Sequence, residues 1–174
     1  MPANIIFITG GARSGKSRYA QQLALQHSNE PVYLATARHW DAEFEQRIQR
    51  HQADRDERWT NIEAEKFISK AAIAGRVVVI DCVTLWLTNF FTDLEYNTEA
   101  SLTACRHEID QLLTLPGTFI IISNEIGMGV HAETEIGRRF TDLQGWVNQY
   151  LAEKAGKAIL MVSGIPVVIK DVVV

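Results

Sequence analysis

The residues with the clearest chemical meaning form the stretch GGARSGKS at positions 10–17, which satisfies the pattern G-x-x-x-x-G-K-[ST]. A short apolar run precedes it and a helical pattern follows it. Glycines in such a loop let backbone N–H groups turn toward a phosphate, and the N-terminal end of the next helix adds positive potential. Lys16 is expected to reach the β- and γ-phosphates of a nucleotide, and the Ser17 hydroxyl to bind Mg²⁺. The alternative is a glycine-rich turn that binds nothing.

Two further polar groups follow apolar runs. Asp81 ends the run VVVID at 77–81, and Asn124 and Glu125 begin the stretch SNEIGMG at 123–129. Open α/β sheets bind ligands at the carboxyl ends of their strands, so Asp81 is expected to bind the Mg²⁺, directly or through water. The second stretch is expected to face the same crevice. The alternatives are an aspartate that only caps the next helix and a tight loop with a capping asparagine.

A third candidate is a histidine between arginines in the segment 38–58. On a helix, Phe44 and Ile48 define an apolar side, and His51 and Arg55 lie near the middle of that side, with Arg47 at its edge. Imidazole can attack phosphorus, and arginines suit phosphate binding. Spacing alone nevertheless favours a histidine that is buried for structural reasons.

The elements that must position these residues alternate between strands and helices. Five apolar runs predict strands at 5–9, 32–37, 77–81, 119–123 and 158–164, and two weaker patterns predict short strands at 58–63 and 167–170. Helical patterns cover 16–27, 41–57, 64–74, 84–91, 99–113 and 133–155. Nearly continuous Val/Ile runs are typical of strands buried on both faces of a parallel sheet. The sequence therefore predicts an α/β fold with helices on both faces of a mainly parallel sheet and a small edge strand near the C-terminus.

Composition limits the classes of function. The 174 residues suit one domain spanning 1–174, and the net charge of −4 argues against a broad nucleic-acid surface. Two distant cysteines and no apolar run near ~20 residues favour a reduced cytoplasmic protein without a membrane span. The motif N-K-x-D of regulatory GTPases does not occur. A small-molecule kinase fits these limits.

Several motifs, in order along almost the whole chain, resemble one family. They are ITGGARSGKSRYA, YLATA, RIQRHQADR, a Trp followed by Ile-Glu, SNEIGMG and SGIP. Together they resemble the bifunctional adenosylcobinamide kinase / adenosylcobinamide-phosphate guanylyltransferase family. The resemblance implies a P-loop, RecA-like fold, Mg²⁺, and phosphorylation of adenosylcobinamide by ATP or GTP. It also implies GMP transfer from GTP through a guanylylated histidine, and a homo-oligomer, with three copies as the expected number.

The resemblance also implies site residues. His51 matches the guanylylated histidine, Lys16 is the second catalytic residue, and Ser17 and Asp81 are the metal ligands. The implied nucleotide-binding residues are Gly10, Gly11, Ala12, Arg13, Ser14, Gly15, Lys16, Ser17, Thr36, Ala37, Arg38, Gln52, Ala53, Asp54, Arg55, Glu63 and Asp81. Gln52 departs from the basic residue that the family often has at that position, and the terminal DVVV has no counterpart in the family pattern. A plain small-metabolite kinase with a structural His51, and a nucleotide-dependent switch, remain as alternatives.

Overall fold

The structure is a computed structural model that describes residues 3–39 and 55–172. Its strands are β1 (Ala3–Gly10), β2 (Val32–Ala35), β3 (Thr60–Glu63), β4 (Val77–Asp81), β5 (Gly117–Asn124), β6 (Lys157–Val162) and β7 (Ile165–Asp171). Its helices are α1 (Lys16–His27), α2 (Val83–Asp93), α3 (Thr98–Leu113) and α4 (Glu135–Lys154), with a 3₁₀ helix at Ile68–Lys70. No helix among these residues is long and apolar enough to cross a membrane.

The strands form one seven-stranded sheet in the order β3-β2-β4-β5-β1-β6-β7. All neighbouring pairs from β3 to β6 are parallel, and β7 alone runs antiparallel, against β6. The mainly parallel α/β sheet and its C-terminal edge strand confirm the prediction. Since β5 lies between β4 and β1, the ends of these three strands meet at one edge of the sheet.

Alternation along the buried strands divides the core between two faces. Ile5 and Phe7 of β1 pack with α2, α3 and α4, whereas Ile6 and Ile8 pack with α1. All four are at most 4% exposed. Burial of such a side chain stabilises the fold by roughly 1.5–3 kcal/mol, so the continuous Val/Ile runs account for a sheet covered on both faces.

The prediction of a helix at 64–74 is wrong. Only Ile68–Lys70 is helical there, as a 3₁₀ turn. Side chains of α2 bind the backbone of this stretch: Asn89 donates to the Glu65 carbonyl (2.9 Å), and Trp86 donates to the Lys66 carbonyl (2.7 Å). Tertiary contacts therefore replace the hydrogen bonds that a helix would supply.

Other boundaries shift by a few residues. β2 ends at Ala35 rather than at 37, and β7 begins at Ile165, two residues before the predicted strand. Of the helix predicted at 41–57, residues 41–54 lie outside the described part, and residues 55–57 are not helical. The turn between β6 and β7 places Ser163 and Gly164 at φ 51° and 82°.

Candidate active site

The glycine-rich loop joins the end of β1 to the start of α1. A Cβ on Gly10 would lie 2.6 Å from the carbonyl oxygen of Met161 on the neighbouring β6, so only glycine fits there. Gly15 precedes α1 with φ 91°, a conformation that other residues rarely adopt. The loop conformation therefore depends on Gly10 and Gly15, the two glycines that the sequence pattern requires.

Neighbouring loops hold this loop by backbone hydrogen bonds. The Glu125 N–H donates to the Gly10 carbonyl at 2.9 Å, and the Gly164 N–H donates to the Ser14 carbonyl at 3.0 Å. Both donors belong to segments that follow adjacent strands, β5 and β6. The loop is therefore fixed before any phosphate arrives.

Lys16 lies over the loop. Its Nζ donates to the Gly11 carbonyl at 2.6 Å, and the side chain is only 7% exposed. Burial lowers the pKa of the Lys16 ammonium, while Cys82 and Asp81 act in the opposite direction. The ammonium thus lies among the backbone groups that would surround a bound phosphate.

Asp81 contacts the other predicted metal ligand. The Ser17 hydroxyl donates to Asp81 Oδ2 at 2.7 Å, although 64 positions separate the two residues in the chain. Cys82, not Asp81, precedes the first turn of α2, and that cap has no side-chain hydrogen bond. The interpretation of Asp81 as a helix cap is therefore wrong.

Tyr33 is a further part of the site that the sequence analysis missed. Its hydroxyl donates to the same Asp81 Oδ2 at 2.7 Å. Burial, followed by the nearby Asp81 charge, raises the pKa of the Tyr33 phenol far above its usual value, so the hydroxyl keeps its proton and remains a donor. One carboxylate oxygen thus accepts hydrogen bonds from Ser17 and Tyr33.

The ring of Tyr33 also contacts Arg55, a predicted nucleotide-binding residue. The guanidinium carbon of Arg55 lies 3.6 Å from the ring centroid, and its Nε donates to Asn61 Oδ1 at 2.8 Å. Trp59 packs edge-on against the same ring, with centroids 6.2 Å apart. Tyr33 therefore lies between Asp81 and the end of the segment that contains His51. His51, Gln52, Ala53 and Asp54 themselves lie outside the described residues.

The segment after β2 is tied to its neighbours. Thr36 Oγ1 donates to the Cys82 carbonyl (2.7 Å) and accepts from the Cys82 N–H (2.9 Å), so its side chain joins β2 to the end of β4. The Asn89 amide donates to the Thr36 carbonyl at 2.8 Å. Thr36 is fully buried and Ala37 is 8% exposed. The Thr36 side chain thus fixes the position of the strand ends.

Arg38 and Glu63 have polar side-chain partners at the same edge. Arg38 donates to both oxygens of Asp93, at 2.8 and 2.9 Å, and to Glu65 at 2.7 Å. Glu63, at the end of β3, lies 3.1 Å from His39 Nε2. These contacts place both predicted residues at the carboxyl ends of β2 and β3.

The stretch SNEIGMG contains the last two residues of β5 and the loop that follows it. Asn124 Nδ2 donates to Thr84 Oγ1 at 3.1 Å, and a Glu125 carboxylate oxygen accepts from the Gly127 N–H at 2.8 Å. Thr134, not Asn124, caps the following helix. Because β5 lies between β4 and β1, this loop begins between Asp81 and the glycine-rich loop.

Comparisons with known proteins identify the family of this chain. The family model described as cobinamide kinase / cobinamide phosphate guanyltransferase matches residues 6–169. The chain belongs to that family. It is 39% identical to the bifunctional adenosylcobalamin biosynthesis protein CobP of Pseudomonas aeruginosa, over 94% of this chain and 95% of the relative. It is 36% identical to the bifunctional adenosylcobalamin biosynthesis protein CobU of Escherichia coli K12, over 95% of this chain and 99% of the relative.

A solved structure shows the fold alone. A protein of Pyrococcus horikoshii OT3, described as project PH0250, aligns with a TM-score of 0.55 at 9% identity, covering 98% of this chain and 87% of that one.

The residues that a family member would use for Mg²⁺ fit that ion chemically. Mg²⁺ prefers oxygen ligands and is usually held by one or two side chains together with substrate phosphates. The Ser17 hydroxyl and the Asp81 carboxylate supply such oxygens beside the glycine-rich loop, and they already lie 2.7 Å apart.

Proposed function

We propose that this family member carries out both reactions within one domain spanning 1–174. It phosphorylates a hydroxyl of adenosylcobinamide with ATP or GTP, then transfers GMP from GTP to the new phosphate. The observation that carries the proposal is the contact of Ser17 with Asp81 beside the buried Lys16, because this arrangement suits a nucleoside triphosphate with bound Mg²⁺.

In the kinase reaction, the substrate hydroxyl oxygen attacks the γ-phosphorus. The new O–P bond forms, the bond to the β-phosphate oxygen breaks, ADP or GDP leaves, and the hydroxyl proton passes to water. Lys16 and the loop N–H groups stabilise the charge that develops on the phosphate oxygens. Mg²⁺ held by Ser17 and Asp81 would neutralise part of the same charge.

In the guanylyl transfer, a neutral His51 nitrogen attacks the α-phosphorus of GTP and pyrophosphate leaves. A phosphate oxygen of cobinamide phosphate then attacks that phosphorus, the P–N bond breaks, and adenosylcobinamide-GDP forms. The phosphoramidate divides one difficult transfer into two easier ones. Support comes from Arg55, four residues after His51, whose guanidinium lies against Tyr33 and hence next to Asp81.

The remaining contacts of the nucleotide are part of the same proposal. The base and ribose bind along the ends of β2 and β3, where Ala37, Arg38 and Glu63 lie. We expect Gln52, Ala53 and Asp54, which lie outside the described residues, to contact the nucleotide as well. The enzyme works in the cytoplasm, without nucleic acid, as a homo-oligomer that we expect to be a trimer. Apolar side chains of β7, such as Ile165 at 65% exposure and Ile169 at 57%, support the assembly.

Incubation with α-labelled GTP tests this function. The protein should retain label as a GMP adduct that survives alkali and is lost in mild acid, as phosphoramidates are. Adduct formation should fall as pH drops through the imidazole pKa, about 6.5 if unperturbed, because only neutral imidazole attacks. His51→Asn should abolish labelling and GMP transfer but leave phosphorylation of cobinamide in place.

His131→Asn is the matched control and should label normally; His39 is kept unchanged because its ring lies 3.1 Å from Glu63, a proposed nucleotide contact. Retention of label by folded His51→Asn would assign the adduct to another histidine. Phosphorylation of cobinamide with no labelling of the unmodified protein would establish the plain kinase instead.

A further inference from the structure

A cavity of about 460 Å³ lies between the loop after β5 and the helix α4. Its walls include Ile126, Gly127, Val130, Arg138, Gly145 and Trp146. None of these residues is among the implied nucleotide-binding residues, although Ile126 and Gly127 belong to the stretch SNEIGMG. The volume lies within the range of roughly 300–1,000 Å³ that is typical of small-molecule sites.

The position of the cavity relates it to phosphoryl transfer. Its wall begins at Ile126, the residue after Glu125, whose N–H binds the Gly10 carbonyl of the glycine-rich loop. β5 also lies between β1 and β4, so the same loop begins between Lys16 and Asp81. A substrate that receives the γ-phosphate must place its hydroxyl at this point. The rest of that substrate can then extend into the cavity.

Apolar side chains at and beside the cavity are exposed, among polar ones such as Arg138, Asp142 and Gln149. Val130 is 96% exposed, the adjacent Met128 82%, and Trp146 43%. Exposed apolar groups that cluster beside a site commonly mark a binding surface. An indole offers a large flat face together with an N–H donor.

Gly145 widens the cavity from within α4. A glycine inside a helix is less favourable than alanine by roughly 0.5–1 kcal/mol, so its presence requires a reason. Among the described residues, a Cβ at Gly145 would meet nothing within 4 Å, whereas a Cβ at Gly137 of the same helix would lie 2.9 Å from Ala132. Packing against the described residues therefore explains Gly137 but not Gly145. Close approach of a ligand to the helix backbone would explain Gly145.

We propose that this cavity binds the corrin ring of cobinamide, and the inference rests on the proposed function. A corrin ring presents broad apolar faces and a rim of carboxamide groups. Trp146 and Val130 can contact the faces, while Gln149 and Asp142, which also line the cavity, can bind the carboxamides. The ring is larger than the cavity, so one side of it stays in contact with water.

Calorimetric titration of cobinamide into the nucleotide-free protein tests the inference. Trp146→Ala and Gly145→Leu should each raise the Kd for cobinamide at least tenfold, by loss of a face contact and by filling of the cavity. Both should raise the KM for cobinamide without changing the KM for ATP. Phe67→Ala is the matched control, because Phe67 is an equally exposed aromatic residue (51%) that does not line the cavity.

Val130→Asp provides a variant whose folding is secure, since that side chain is almost fully exposed. It should also weaken cobinamide binding. The inference would be overturned if the Kd for cobinamide were unchanged in Val130→Asp and in whichever of Trp146→Ala and Gly145→Leu folds. The proposed function would be overturned instead if the unmodified protein did not phosphorylate cobinamide. A change in sedimenting mass with an unchanged Kd would identify the surface as an interface between copies, again against the inference.

Discussion

The central strand β1 and the edge strand β7 have similar apolar sequences, but β1 is buried and β7 is exposed. Ile5–Ile8 of β1 and Val167–Ile169 of β7 are both continuous apolar runs. The side chains of the first are at most 4% exposed, whereas those of Val167, Val168 and Ile169 are 44%, 49% and 57% exposed. Helices cover both faces of β1, whereas β7 pairs, within residues 3–39 and 55–172, with β6 alone. An apolar run thus indicates a strand but not what covers it.

The difference separates two tasks. The buried central strands β4 and β5 end at Asp81 and Asn124, and β1 ends at the loop that leads to Lys16, so the rigidity of these strands serves the chemistry. An apolar edge strand with free backbone groups invites pairing with another chain, and proteins usually protect such edges. The β7 edge is therefore the surface on which the proposed assembly depends.

The largest effect expected at the centre comes from Lys16→Ala. Removing the ammonium should lower kcat for cobinamide phosphorylation by about 10²–10³-fold, because charge on the γ-phosphate loses a preorganised partner. The melting temperature should change little. Near-normal phosphorylation by the folded variant would contradict the assignment of the phosphate loop.

At the edge, the double variant Val168→Lys, Ile169→Lys should weaken assembly on the order of a hundredfold, since an unpaired charge in an apolar interface costs several kcal/mol. Sedimentation of the purified protein measures this, with Phe67→Lys as the exposed control. The dissociated chain should remain folded and should bind ATP. An unchanged sedimenting mass would show that β7 is not the interface.

A smaller effect is expected from Tyr33→Phe, which removes one of the two donors to Asp81 Oδ2 but keeps the ring under Arg55. Partners of a metal ligand typically contribute a factor of 10–100 to metal affinity or activity, so the Mg²⁺ concentration at half-maximal kinase rate should rise about tenfold. The rise in melting temperature that Mg²⁺ produces with ADP should shift in parallel. Trp59→Phe, which packs on Tyr33 without touching Asp81, should shift neither, and an unshifted Tyr33→Phe would exclude this role for the hydroxyl.

The smallest effect concerns the ion pairs outside both regions. Hydrogen bonds from Arg38 and Lys66 hold the pKa of the Asp93 carboxyl below its ordinary value of 3.8. Their contribution is therefore fully present above that value and is lost as pH falls below it. Asp93→Asn should lower the free energy of unfolding by about 1 kcal/mol or less at pH 7, as for other exposed pairs. Urea titrations should show a smaller difference in the free energy of unfolding between the unmodified protein and Asp93→Asn at pH 2.5 than at pH 7. An equal difference at the two pH values would refute the electrostatic account.

Much of the fold follows from local patterns, and the exceptions have tertiary causes. The Val/Ile runs and the helical patterns predict the parallel sheet, because burial on both faces leaves a periodic signature. The stretch 64–74 reads as a helix, yet Asn89 and Trp86 bind its backbone. No local pattern reports side chains that arrive from another helix.

Local sequence patterns likewise predict only part of the candidate site. The loop at 10–17 and Asp81 are predictable, since a motif and a strand end indicate them. Tyr33 reads only as a strand residue. It meets Asp81 because β2 and β4 pair with Tyr33 opposite Val79 and Ala35 opposite Asp81. That register is set by the assembled sheet, so the contact becomes visible only in the structure.

The turn between β6 and β7 supports the phosphate loop, and this contact joins the two regions compared above. Gly164 donates to the Ser14 carbonyl, and its Cα would lie 3.2 Å from a Cβ on Gly15. Nucleotide binding and the proposed assembly are therefore thermodynamically linked. The free-energy changes around the cycle of binding and assembly must sum to zero. If pairing at β7 restrains the turn in its loop-supporting position, a nucleotide binds the assembled protein more tightly than the single chain. Reciprocity then requires the nucleotide to raise the assembly constant by the same factor, which sedimentation with and without ADP would measure.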